Sequence, residues 1–159
     1  MNLLGTAPWW FVALLTLVLL VAAIQDVLVR KISNLLVLGV VLLGIAAMAY
    51  LGIRTTVWQN VVIVVALLAL GTIAFSHQWL GGGDVKLFAA VGLWSNFAAA
   101  PKLLAAILIS GGVVALIMLA RVLLPNRESG GPLRARRSVP YGVAIAAGTL
   151  LVTWYGRLF

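Results

Sequence analysis

Residues 9–24 read WWFVALLTLVLLVAAI, and two positions later stands an acid, Asp26. The run carries no charge and is bounded by tryptophans on one side and by Arg30 and Lys31 on the other. It reads as a membrane helix close to the lower limit of about 17–25 residues needed to cross the hydrocarbon core. An ionisable group at membrane depth is costly, about 2.5–3.5 kcal/mol on insertion scales. Its presence therefore asks for a task.

Working outward, five more apolar stretches follow: Leu35–Leu51, Val57–Phe75, Val85–Ala100, Leu103–Leu124 and Val139–Trp154. The fourth is short and interrupted by Gly92, Ser95 and Asn96, and the sixth is slightly short. The runs are continuous rather than alternating, which excludes a β-barrel. Backbone groups in lipid must be satisfied internally, so the sequence predicts an all-α fold, a polytopic bundle of about six transmembrane helices. The chain has 159 residues, 64% of them hydrophobic and 9% charged, so little remains for a soluble domain. The expectation is one integral-membrane domain over 1–159, with a basic loop at 125–138 inside it. The first run has no basic residue before it and reads as a retained helix, not a signal peptide.

The net charge of +8 does not point to nucleic acid, because the basic residues sort by loop. Arg30, Lys31, Lys86, Arg121, Arg127, Arg134, Arg136 and Arg137 fall on one side of a six-helix arrangement; Arg54, Lys102 and Arg157 fall on the other. The positive-inside rule puts the larger group in the cytoplasm, next to anionic lipid, and Asp26 and Asp84 with it. Trp9, Trp10, Tyr50, Trp58, Trp154 and Tyr155 fall at outer ends, and Trp79 and Tyr141 near inner ends, as interfacial anchors do.

Only three acids occur in the chain, and two stand in suggestive settings. Asp26 is four residues before Arg30, a spacing that makes an ordinary helix-end pair. Asp84 closes the run Gly81-Gly82-Gly83 and is followed by Lys86. Glycines allow close approach of another backbone, which suits a substrate bound extended beside a carboxylate. Asp84 also fits as a helix N-cap. Two isolated carboxylates suggest shared acid–base work, one holding a proton and the other not. There is no cysteine, so thiol nucleophiles, disulfides and cysteine–zinc sites are excluded. The single histidine, His77, belongs to no His-Glu-x-x-His motif and reads as interfacial. A serine–lysine dyad using Ser33 or Ser76 with Lys86 would leave both aspartates unexplained.

These segments together resemble the type IV prepilin peptidase family of membrane aspartic proteases. Gly81, Gly83, Asp84 and Lys86 match its G-x-G-D-x-K motif. Asp26, Arg30, Ile32 and Asn34 resemble its other aspartate region, with Ser33 where proline is usual. Residues 139–146, V-P-Y-G-V-A-I-A, look like the start of its last helix, with Pro140 and Tyr141 in place. The resemblance implies a catalytic pair, Asp26 and Asp84, shaped by Gly81, Gly83, Lys86, Arg30, Asn34, Pro140 and Tyr141, with no metal and no cofactor. It implies a pilin precursor as substrate, with a basic leader and a hydrophobic helix, cut at the cytoplasmic face of the bacterial inner membrane. Lacking cysteine and a large loop after the first helix, the chain looks like the short, peptidase-only branch of tight-adherence (Flp-type) systems, without methyltransferase activity. The rival readings are a small proton-coupled transporter, since intramembrane carboxylates also mark ion paths, and a structural subunit of a pilus or secretion assembly.

Overall fold

The computed structural model describes residues 1–123 and 140–158, and the secondary structure there is entirely α-helical. The helices are α1 (Leu3–Thr6), α2 (Trp9–Val29), α3 (Asn34–Tyr50), α4 (Val57–Ser76), α5 (Gly82–Gly92), α6 (Ala100–Leu123) and α7 (Tyr141–Leu158). The expected basic loop at 125–138 lies outside the described residues. Three of the helices are long and apolar enough to cross a membrane: Trp9–Val29, Val57–Ser76 and Ala100–Ala120. The apolar α3 has 17 residues, near the lower limit for a span. The chain is a polytopic helical bundle.

Each outer helix buries a narrow stripe and turns the rest outward. On α2 the stripe is Val12, Leu15, Leu19, Ala22 and Asp26, and on α4 it is Asn60, Ile63, Leu67 and Gly71. The opposite faces expose large apolar side chains, among them Leu28 and Leu108, each about three-quarters exposed. A surface of that kind fits lipid, not water. Lipid supplies no hydrophobic drive between helices, so close contact relies on small residues. A Cβ on Gly148 of α7 would fall 2.5 Å from the Ile107 backbone of α6. A Cβ on Gly92 of α5 would fall 2.6 Å from Leu67 of α4. The centre of the bundle is α5 and α7, which pack on each other; α5 is flanked by α3 and α4, and α7 by α1, α2 and α6.

One expectation needs correction. The fourth stretch, Val85–Ala100, does not form one helix: α5 stops at Gly92 after 11 residues, about 16 Å of rise against a core of about 30 Å. Turns over residues 93–99 follow it and meet α1, which the sequence reading did not anticipate. Irregular backbone at that depth is tolerated because protein satisfies it. Asn60, fully buried, donates to the carbonyls of Met1, Leu93 and Ser95 at 2.7–2.8 Å. The Leu4 amide donates to the Trp94 carbonyl, and the buried Trp94 indole donates to the Val40 carbonyl. Arg157 donates to the carbonyls of Leu4 and Ala7 at the end of α1. The first helix runs past the apolar run to Val29, so Asp26 sits in its last turn, in its buried stripe.

Candidate active site

Asp26 is 5% exposed, one helical turn beyond Ala22 on the packed face of α2. The helix ends at once: Arg30 adopts left-handed backbone (φ 55°), and its amide closes the last turn on the Asp26 carbonyl at 3.0 Å. The chain then doubles back into α3. Ser33 caps that helix, its Oγ accepting from the Leu35 amide at 3.2 Å, while its own amide donates to Gln25 Oε1 at 2.9 Å. Ser33 thus uses an N–H that proline would lack.

Asp84 lies in the first turn of α5, where a negative charge meets the positive end of the helix dipole. Its Oδ2 accepts from the Gly81 amide at 3.2 Å, which fixes the carboxyl across the helix start. Its Oδ1 is buried and has no hydrogen-bond partner among the described residues.

The N-terminus of α7 joins the two. The Gly142 amide donates to Asp26 Oδ2 at 2.7 Å and also acts on the Asp84 carboxyl. A Cβ at Gly142 would stand 2.8 Å from that Asp26 oxygen and 2.9 Å from Ile32 Cδ1, so only glycine lets the helix end come this close. Three helix termini therefore converge on two carboxyls. Both line a cleft of about 850 Å³ together with Arg30, Phe75, Ser76, Gln78, Trp79, Leu80, Gly81, Pro140 and Tyr141. Both also line a smaller space of about 240 Å³ with Lys31, Ile32, Gly82 and Gly83. Burial pushes the Asp84 carboxyl up to about 6, and the neighbouring Asp26 charge adds to the rise; the Gly81 and Gly142 amides pull the other way. A pair in which one member resists ionisation can hold a single proton between pH extremes.

The residues expected from sequence distribute unevenly. Asp26, Asp84, Gly81, Arg30, Pro140 and Tyr141 all line the larger cleft. Gly83 is half-buried against the α2–α3 turn: a Cβ there would meet Ile32 Cβ at 3.1 Å and the Ile32 carbonyl at 3.2 Å. Its smallness lets α5 pack closely on that turn. Lys86 is exposed; its ammonium donates to Asn34 Oδ1 at 3.0 Å, tying α5 to α3. Neither Lys86 nor Asn34 lines the larger cleft. Ser76 Oγ donates to the Ile73 carbonyl of its own helix, and His77 stacks on Trp79 with ring centroids 5.3 Å apart. Sequence reasoning missed Gly142, Gln25 and the turn Gln78–Leu80, where Gln78 has a φ of 61°. Gly142 stood in the quoted P-Y-G segment and could have been singled out; Gln25 gave no signal.

Residues 13–119 match the type IV leader peptidase family. This range contains Asp26 and Asp84 but ends before the α7 segment. The chain is also 36% identical over 83 residues to the prepilin leader peptidase/N-methyltransferase of Bacillus subtilis (strain 168). That alignment covers 52% of this chain and 30% of the relative. No solved structure gives a significant match.

Proposed function

The chain belongs to the type IV leader peptidase family, and on that premise we propose that it is a membrane aspartic endopeptidase acting on prepilin-like precursors. The observation that carries this reading is the convergence of Asp26 and Asp84 on one cleft, with the Gly142 amide bonded to Asp26. The ionised carboxylate takes a proton from water as its oxygen bonds to the scissile carbonyl carbon. The protonated carboxyl gives its proton to the carbonyl oxygen. Collapse of the tetrahedral intermediate breaks the C–N bond, and the amine leaves with a proton from the pair. Buried and without a hydrogen-bond partner among the described residues, Asp84 Oδ1 offers an acceptor position for that water or that proton.

The substrate in this reading is a pilin precursor with a basic leader and a hydrophobic helix, cut at the cytoplasmic face of the bacterial inner membrane. Support for the orientation comes from Arg30, Lys31 and Lys86, which lie at the same end of the bundle as the carboxyl pair. The activity is leader cleavage alone: the chain has no cysteine and only a short turn between α2 and α3, as in peptidase-only Flp-type systems. Cleavage uses no metal or other cofactor and needs membrane lipid as surroundings. A transporter would set its carboxylates nearer the midplane, whereas both sit at one end of this bundle. The test is cleavage of a leader-bearing precursor by the purified chain in lipid. Activity that survives chelators and serine- or thiol-directed reagents supports the aspartic assignment; loss on chelation, or in Ser33→Ala or Ser76→Ala, contradicts it.

A further inference from the structure

A second, apolar groove opens from the same cleft. It measures about 340 Å³ and shares Leu80 and Tyr141 with the cleft that holds the two carboxyls. From there it runs along α6, over Ile107, Leu108, Gly111, Gly112 and Ala115, beside Ala144 of α7. The α6 residues recur at intervals of one, three and four positions, so they form one face of that helix. They span about 12 Å, roughly two helical turns. The face is small where it matters: Gly112 is exposed, and a Cβ there would meet nothing within 4 Å. Small residues are what a second helix needs for close approach in lipid.

Resting on the peptidase reading above, we infer that this α6–α7 groove receives the first two turns of the substrate's apolar helix, directly after the scissile bond. Continuity decides the occupant. A chain whose scissile bond lies between Asp26 and Asp84 must leave the cleft, and past Leu80 and Tyr141 an apolar wall is already formed. The other apolar groove, about 530 Å³ between α3 and α4 over α5, is larger. It shares no lining residue with the cleft, and at its edge stands Lys86, which faces Asn34. A helix bound there would start on the far side of α5 from Asp84.

The test uses the full chain in lipid nanodiscs and a precursor with its apolar helix. Gly112→Phe, at an exposed position with open space, should raise KM about tenfold or more with kcat little changed, because it denies burial to a large apolar side chain. Ala49→Phe, in the α3–α4 groove, should leave both constants near those of the parent. As a readout independent of turnover, Ala115→Cys in the otherwise cysteine-free chain, combined with Asp84→Asn, should form a disulfide, on addition of a mild thiol oxidant that takes up the two electrons, with a cysteine placed in the first two turns of the substrate helix. Parent-like KM in Gly112→Phe, or a raised KM in Ala49→Phe alone, would overturn the α6–α7 groove while leaving the peptidase reading intact. Failure of the unmodified chain to cleave any precursor would overturn the peptidase reading and this occupant with it.

Discussion

Asp84 carries a built-in conflict. Its carboxyl is partly buried, one oxygen lacks a partner among the described residues, and the second carboxyl of the cleft repels its charge. The raised value, about 6 against 3.8 for an ordinary aspartate, makes the folded state bind a proton more tightly than the unfolded one. Stability from that proton is therefore fully present below about 3.8 and is lost as pH rises through about 6. Asp84→Asn, which keeps an oxygen for the Gly81 amide, should accordingly melt at a higher temperature than the parent at pH 7.5 in detergent, with the gain fading below pH 4. A lower melting temperature at pH 7.5 would mean the buried charge is compensated. Catalysis should show the same group: cleavage that depends on the shared proton should fall as pH rises through about 6, and fall again in acid when both carboxyls are protonated. At the neighbouring position, Gly142→Ala should reduce cleavage by roughly 10²-fold or more, since a shift of about 1 Å at a positioned catalytic group costs that much. The added methyl would press on Asp26 Oδ2.

At the scale of elements, the turn between α2 and α3 explains how this chain manages without proline at position 33. Ser33 has a φ of −67°, which proline could adopt, but its amide bonds Gln25 and its hydroxyl caps α3. Ser33→Ala should cost about 0.5–2 kcal/mol by loss of the cap. It should leave cleavage largely intact, as measured by denaturation and by turnover of the same preparation. The turn also shows what was legible beforehand. The six apolar runs, the two acids and their motifs could be read because charge is so costly in lipid that each acid stands out. The short α5 could not be foreseen with confidence from Val85–Ala100, because hydropathy does not distinguish a helix from buried turns. What ends α5 is non-local: Asn60, 33 and 35 positions away from Leu93 and Ser95, holds their carbonyls. The buried stripe of α2 was equally hidden, since nearly every position there is apolar and only packing chooses a side. Lys86 and Gly83 were found by motif, yet the contacts they make, with Asn34 and Ile32, lie between segments.

For the whole molecule, the account requires that the carboxyl end of the bundle face the cytoplasm. The cysteine-free sequence allows a direct check. A cysteine replacing Gln78, at the edge of the cleft, should be shielded from a membrane-impermeant thiol reagent in intact spheroplasts. One replacing Arg54, in the α3–α4 turn, should be labelled. The reverse pattern would invert the topology. The central claim is that one carboxyl pair performs the hydrolysis, and the most direct measurement is precursor cleavage by purified Asp26→Asn and Asp84→Asn beside the parent, in lipid, with folding verified by melting. The account predicts efficient processing by the parent and none detectable in either folded variant; substantial processing by either one would contradict it.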